Sequence, residues 1–319
     1  MQVAIFGGTG FVGSYLVDAL VAHGMCPVLL VRAGHEGRVR HRDSSVVVSG
    51  SVEDDAALSK VIDMADAVIF NIGILREFPS RGVTFQRLQQ EAACRIIDKA
   101  AASGVGRFLL MSANGVDARQ TTYQRTKHQA ERYLAASGLD WTVVRPSVIF
   151  GNPRGRSEFA TQLYRDVIAS PLPAPLFYQG ILPHSAGQFE LSPVHVRDVA
   201  QAFVAALLSP NTIGQVLELG GPESLTWKEI LTRIAAAAGK SKLMLPVPAF
   251  GIAAAAALLD RFEAFPVTRD QLKMLMQGNT CGSAALTQLG ISPTGFCEES
   301  LAYLENPTTE DSRWQRNAA

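Results

Sequence analysis

The sequence predicts an α/β chain: a parallel, doubly wound sheet followed by a smaller, loop-rich C-terminal subdomain. Three observations predict it. Short apolar runs and helix-period stretches alternate from Met1 to Gly151, as they do when each strand is followed by a crossover helix. The first run is joined to its helix by Gly8-x-Gly10-x-x-Gly13. Beyond Gly151 the alternation stops, and residues 152–190 are rich in proline and glycine, as in PLPAPLFYQG and LPHSAG.

Element by element, Val3, Ile5 and Phe6 form the first apolar run, and Phe11, Leu16, Ala19 and Leu20 recur at helical spacing behind the glycines. Strand, glycine turn and amphipathic helix together make the opening of a dinucleotide-binding βαβ unit of the Rossmann type. In this reading Gly8 allows the tight turn out of the strand. Gly10, without a Cβ, lets backbone approach a pyrophosphate, and Gly13 lets the helix lie close on the sheet. The helix N-terminus supplies free N–H groups and a positive dipole end.

Residues 26–32 (CPVLLVR) read as the second strand. Where NAD-preferring domains carry an acidic residue, this strand ends in Arg32, with Arg38 and Arg40 nearby. A guanidinium there pairs with a 2′-phosphate, which favours NADP(H) over NAD(H), although an ordinary surface arginine would look the same. Val46 to Val48 read as a third strand, Asp54 to Ile62 as a helix, and Ala67 to Phe70 as a buried fourth strand ending at Asn71-Ile72-Gly73. Ligands of open α/β sheets bind at strand carboxyl ends, which puts Ser51, Val52, Asn71 and Gly73 on the cofactor side. Phe85 to Ala102 read as one long helix stopped by Gly104. Phe108 to Met111 are a fifth strand with Ser112 at its end, and Trp141 to Arg145 a sixth.

Between these two strands lies Tyr123-x-x-x-Lys127. Residues four apart share a helix face. Near a nicotinamide the pair makes an acid–base couple in which the ammonium lowers the phenol's pKa, with Ser112 able to hydrogen-bond a carbonyl. On spacing alone the two are equally common helix-surface residues. Further on, Val196 to Leu208 read as a helix, Val216 to Leu219 as a short strand, and Thr226 to Ala238 as a helix with a Thr226/Glu229 capping box. Thr268 to Met276 read as another helix. The apolar helix expected at 249–259 should be buried against the domain or a partner. The domain boundaries read as 1–151 for the sheet domain, with 188–219 packing back on it, 152–305 for the C-terminal subdomain, and 306–319 as a frayed tail.

Composition narrows the function. The chain of 319 residues has 29 basic and 29 acidic side chains, so no charge footprint points to nucleic acid. Its four cysteines are scattered and form no CxxC pair, and its histidines form no HxH or HExxH. No metal site is expected, and a reducing compartment, the cytoplasm, is. The most apolar segment, Val247 to Leu259, is too short to span a bilayer, which needs about 20 residues, and the chain opens on a strand rather than on a signal-like stretch.

The assembled motifs resemble the short-chain dehydrogenase/reductase superfamily in its extended or atypical branch. The residues that carry the likeness are Gly7-Gly8-Thr9-Gly10-Phe11-Val12-Gly13, the Asn71 turn, Ser112, Tyr123/Lys127 and Arg145-Pro146-Ser147-Val148-Ile149-Phe150-Gly151. Asn71 to Leu75, Val194 to Val199, Glu218 to Pro222 and Val267 to Leu272 narrow it. They are similar to the NAD(P)-binding alpha-subcomplex accessory subunit family of respiratory complex I and its bacterial relatives.

The resemblance implies that Gly7, Gly8, Thr9, Gly10, Phe11, Val12 and Gly13 hold the pyrophosphate. It implies Arg32 at the 2′-phosphate, Ser51 and Val52 at the adenine, and Asn71 and Gly73 at the ribose. Tyr123 and Lys127 would stand at the nicotinamide ribose, and Pro146, Val148 and Ile149 beside the nicotinamide. Two departures accompany it. Ser51 stands where the family is usually acidic, and the Ser112-to-Tyr123 spacing is shorter than in extended enzymes. The accessory subunit holds its nucleotide structurally, and other relatives are linked to ubiquinone biosynthesis. Two functions therefore stand side by side. One is a dinucleotide binder with weak or lost turnover that serves a membrane complex or a quinone-synthesis assembly, peripheral to the inner membrane. The other is an active NADP(H)-dependent oxidoreductase or nucleotide-sugar epimerase/dehydratase using Ser112, Tyr123 and Lys127.

Overall fold

A computed structural model describes residues 1–249 and 269–305 of the chain. In order, these form β1 (Gln2–Phe6), α1 (Phe11–Ala22), β2 (Cys26–Val31), β3 (Val46–Ser49), α2 (Asp55–Ile62), β4 (Ala67–Phe70), α3 (Ala92–Ala102), β5 (Arg107–Met111), α4 (Thr122–Ala135) and β6 (Asp140–Pro146). There follow β7 (Ile149–Phe150), α5 (Phe159–Leu163), β8 (Ala174–Tyr178), β9 (Glu190–Leu191), β10 (Val194–His195), α6 (Val196–Leu208), β11 (Gln215–Leu219), β12 (Leu225–Thr226), α7 (Trp227–Ala237) and β13 (Met244–Pro248). Short helices at Arg269–Met276, Ala284–Gln288 and Glu298–Leu301 complete the described chain. Of the apolar helix expected at 249–259, residues 250–259 lie outside the described residues, as does the tail at 306–319.

The first compact unit comprises Met1–Pro146, Val196–Leu219 and Ala284–Ser292. Its sheet has seven strands in the order β3-β2-β1-β4-β5-β6-β11, and every pairing is parallel. The strands are buried on both faces, which is why they read as continuous apolar runs rather than alternating ones. Ala4, Phe6, Val68, Phe70, Phe108 and Leu110 pack against Leu58, Ile62, Ile96, Ile97 and Leu134 from α2, α3 and α4. Val3, Ile5 and Leu29, of opposite parity, are equally buried, and α1 packs beside α6. This is the doubly wound Rossmann-type arrangement. Strand order reverses between β1 and β4, so the crevice that receives ligands in such sheets opens at their carboxyl ends, at Gly7 and Asn71.

Local signals explain the helices. Asp54 caps α2 by accepting from the Ala56 and Ala57 amides, so it lies just outside the helix rather than within it. Thr121 and Gln124 form a reciprocal capping box on α4. Gly104 at φ +71° follows the end of α3. The single helix expected from Phe85 to Ala102 is instead a π-helical turn, Gln86–Glu91, running into α3. The wider turn carries Gln89 inward, where its Nε2 donates to Ile74 O at 2.8 Å and its Oε1 accepts from Thr126 Oγ1 at 3.3 Å.

The second unit comprises Ser147–His195, Gly220–Ser283 and Pro293–Ala319. It holds three two-stranded ribbons, β7–β10, β8–β13 and β9–β12, and α7 packs against β8 and β12. Its core gathers Phe150, Leu176, Phe177, Trp227, Ile230, Ile234, Phe296 and Leu301. Trp227 Nε1 donates to Pro175 O at 2.9 Å, and Thr226 with Glu229 forms the expected capping box on α7. No described helix is long and apolar enough to cross a membrane.

Candidate functional site

The site of the first unit starts at the turn between β1 and α1. Gly7, not Gly8, takes the left-handed backbone, at φ +95°. A Cβ there would also stand 2.9 Å from Asn71 O, since β4 delivers Asn71 directly against the turn. The Asn71 amide donates to Phe6 O at 2.9 Å, tying the two strand ends together. Gly8 has a different job from the one expected. Its missing Cβ leaves room for Leu29 Cδ2 on the neighbouring strand, 2.6 Å from where a Cβ would stand. Gly13 behaves as expected: a Cβ would collide with Gly7 O, so α1 can approach the turn only because the residue is bare.

Gly10 sits at the N-cap of α1 and its amide donates to Gly7 O at 3.1 Å. No side chain caps the helix, and its first turn holds no carboxylate. The positive end of the helix dipole is thus left without an anion from the chain itself, beside Gly10, which is exposed and carries no Cβ. Thr9, Phe11 and Val12, all half-buried, complete the turn and helix start, and the Phe11 ring meets Tyr15 edge-on at 6.0 Å. These residues fit a diphosphate.

At the end of β2, Arg32 is exposed, and no carboxylate pairs with it among the described residues. Burial, then the charges of Arg32 and Arg38, push the His35 pKa down. Arg40 is already committed: its Nε donates to Asp18 Oδ1 at 2.7 Å. At the end of β3, Ser51 Oγ accepts from the Glu53 amide at 3.3 Å, and Val52 packs against the core. Gly73, after β4, is exposed and lies alongside Lys127, whose Nζ would be 3.5 Å from a Cβ on it.

The acid–base residues come next. Lys127 is buried, and its Nζ donates to Met111 O at 2.7 Å and Ile72 O at 3.4 Å, bridging the ends of β5 and β4. Burial pulls its pKa from 10.5 down to about 8, opposed by the Glu131 carboxylate one turn along α4. Tyr123, a half-buried residue, meets Phe85 edge-on at 5.7 Å, and desolvation of its phenol pushes the pKa up to about 12. The lowering of the phenol by the ammonium, expected from the sequence, is absent. Lys127 spends its hydrogen bonds on backbone carbonyls, and desolvation alone moves Tyr123. Ser112, next along from Met111, is buried, its amide donates to Val144 O at 2.7 Å, and its Oγ has no hydrogen-bond partner. An orphaned buried hydroxyl beside a buried amine is a polar surface suited to a ligand.

Behind them stands an ion cluster that spacing alone did not reveal. Arg145, on β6, donates to both oxygens of Glu131 at 2.9 and 2.6 Å and to both oxygens of Asp117 at 2.6 and 3.1 Å. Its bonds to Glu131 raise its pKa, and the same guanidinium holds the Asp117 carboxyl below its ordinary value. The one visible signal was Glu131 four residues after Lys127. Gln89 had no local signal, because both its partners are remote in sequence. Pro146 ends β6 in this unit. Val148 and Ile149 belong to the second unit, where Val148 O accepts from the Val194 amide at 2.9 Å and Ile149 pairs with Val194.

Comparisons with known proteins agree with this geometry. Residues 7–166, half of the chain, match the model of an NAD(P)H-binding family. The chain is 28% identical over 315 residues to the mitochondrial NADH dehydrogenase [ubiquinone] 1 alpha subcomplex subunit 9 of Dictyostelium discoideum, covering 94% of this chain and 83% of that one. It is 29% identical to a ceramide reductase of Caulobacter vibrioides over 83% of this chain and 80% of that one. A UDP-glucose 4-epimerase of Thermus thermophilus, solved with NAD, shares the fold with a TM-score of 0.71 at 19% identity, over 95% of this chain and 97% of that one.

Proposed function

We propose, from the premise that this chain belongs to the NAD(P)H-binding family within the extended short-chain dehydrogenase/reductase group, that it holds NADP(H) tightly with weak or lost turnover. The observation that carries this reading is the acid–base pair. A proton donor works best with a pKa near the operating pH. Tyr123 sits at about 12, with Lys127 turned to Met111 O and Ile72 O. A bound nicotinamide supplies a hydride donor or acceptor; the chain's part is to hold it and to move a proton, and the second part is poorly tuned. The turn and helix start formed by Gly7, Gly8, Thr9, Gly10, Phe11, Val12 and Gly13 take the pyrophosphate. Ser51 and Val52 flank the adenine, Asn71 and Gly73 the ribose, and Pro146, at the end of β6, the nicotinamide. Arg32, exposed and without a carboxylate partner, takes the 2′-phosphate and favours NADP(H) over NAD(H). Similarity to mitochondrial complex I subunits supports a partner in such a membrane complex; the quinone-synthesis alternative and a cytoplasmic location peripheral to the inner membrane rest on the sequence reading.

One observation favours a second reading, an active NADP(H)-dependent oxidoreductase or epimerase. The unpartnered Ser112 Oγ is placed like a group awaiting a substrate carbonyl, and the similarity to a ceramide reductase points the same way. The Tyr123→Phe variant decides between the two. The binder reading expects unchanged NADPH affinity and no loss of any cellular phenotype. Loss of a measured reductase activity in the variant overturns it.

A further inference from the structure

The second unit carries a surface that dinucleotide binding does not use. Among the described residues eleven large apolar side chains are exposed, and five of them, Leu172, Ile181, Leu182, Leu243 and Leu245, lie on or beside the ribbon β8–β13. They include the most exposed of all, Ile181 at 93% and Leu172 at 70%. Single exposed leucines need no explanation, but a concentration of this kind does. The ribbon itself is firmly seated. Leu176 and Phe177 from β8 and Met244 and Val247 from β13 pack on the core, while Leu243, Leu245 and Pro246 stay exposed. Leu243 O accepts from the Ala174 amide at 2.8 Å, which sets Leu243 beside the Leu172 loop. Ile181 and Leu182 follow the other end of β8.

Charge identifies the occupant. From Val167 to Phe189 there is no aspartate or glutamate, and from Ile230 to Ala249 there is none. Parallel pairing of β8 with β13 brings these two acid-free stretches together. The cations they carry next to the apolar group are Lys240 and Lys242. Lys242 Nζ donates to Ser170 O, and Lys240 Nζ lies 5.5 Å from the centre of the Tyr164 ring. The sequence that continues β13, FGIAAAAALL at 250–259, keeps the same character and carries no charge. A protein interface of ordinary type has a polar rim of both signs and aromatic or arginine anchors at its centre. Here aliphatic side chains protrude beside two lysines, on two stretches of chain that carry no acid of their own. That is the pattern of a surface that inserts shallowly among anionic lipid headgroups.

We propose that the β8–β13 ribbon, with its flanking loops at Leu172, Ile181–Leu182 and Lys240–Leu243, docks onto an anionic lipid bilayer. The proposal concerns the second unit alone and holds whatever the first unit does with its nucleotide. Flotation of the full chain with vesicles tests it, using phosphatidylcholine alone or mixed with phosphatidylglycerol. The full chain is expected to float with the mixed vesicles, less so with phosphatidylcholine alone, and less at high salt, because the lysine contribution is screened. The pair Lys240→Gln with Lys242→Gln should weaken binding to mixed vesicles about fivefold per lysine. The triple variant Leu172→Gln, Ile181→Gln and Leu243→Gln should weaken it about tenfold or more. All three substituted side chains are exposed, so melting curves should match the parent. A parent chain that ignores mixed vesicles overturns the proposal, as does undiminished binding by the triple variant. A parent that forms dimers, with a monomeric triple variant and no flotation by either, overturns it in favour of a second copy on this surface.

Discussion

The buried Lys127 ammonium makes a quantitative prediction about stability and pH. Moving a lysine from 10.5 to about 8 separates its two protonation states by about 3 kcal/mol. The folded chain prefers the neutral amine more than the unfolded chain does. Below pH 8 both states carry the proton, and the folded state bears the cost of a buried charge. Between pH 8 and 10.5 the unfolded state binds more protons, so stability rises with pH across that window. Working the linkage at pH 9.5 gives a gain of about 2 kcal/mol over pH 7 from this one residue. Lys127→Met keeps the stem and deletes the charge. It also removes the donor to Met111 O at 2.7 Å and the weaker one to Ile72 O at 3.4 Å, at a cost of about 1–2 kcal/mol.

The net expectation at pH 7 is a variant more stable than the parent by about 1–2 kcal/mol. At pH 9.5 that advantage should vanish or reverse. Paired urea titrations at the two pH values, followed by far-ultraviolet circular dichroism, give both differences. Tyr123 titrates higher, so it contributes little at pH 9.5, and it is common to both chains. A parent–variant difference that does not change between pH 7 and 9.5 would show that the ammonium is solvated rather than buried, and the reasoning about the pair would fall with it.

Three further outcomes follow from named contacts. Gly13→Ala puts a methyl into Gly7 O and should cost about 1–3 kcal/mol of stability while abolishing dinucleotide binding, read together by melting with and without NADPH. Arg32→Asp should reverse the nucleotide preference. NADPH should stabilise the parent more than NADH at equal concentration, and NADH should stabilise the variant more, because stabilisation tracks affinity. Asp54→Ala removes the acceptor of the Ala56 and Ala57 amides and should lower stability by about 1 kcal/mol without altering nucleotide affinity, measured by urea midpoint and calorimetry.

What could be read in the sequence was whatever local pattern controls. The glycine turn, the helix Val196–Leu208 and the Thr226/Glu229 box appear where spacing placed them, because each rests on residues within one or two turns of one another. What escaped depends on chain brought in from elsewhere. Gly7 rather than Gly8 is left-handed because Asn71 arrives from a strand 64 residues on, a neighbour no glycine pattern announces. The π turn at Gln86–Glu91 exists in company with Ile74 and Thr126, and periodicity cannot distinguish it from the start of an ordinary helix.

The same division explains the chemistry. Tyr-x-x-x-Lys specifies that two side chains share a helix face, and α4 carries both. It does not specify what each side chain meets. Burial raises the phenol and lowers the amine, so the two move in opposite senses relative to neutral pH. The Arg145–Glu131–Asp117 cluster shows why they are not brought back together. Glu131, which would otherwise offer its full charge to Lys127, is bound through both oxygens to Arg145. Its support for the ammonium is correspondingly smaller than the desolvation it opposes. The opposite shifts of the two groups are thus set by residues outside the motif, and Tyr-x-x-x-Lys alone does not announce them.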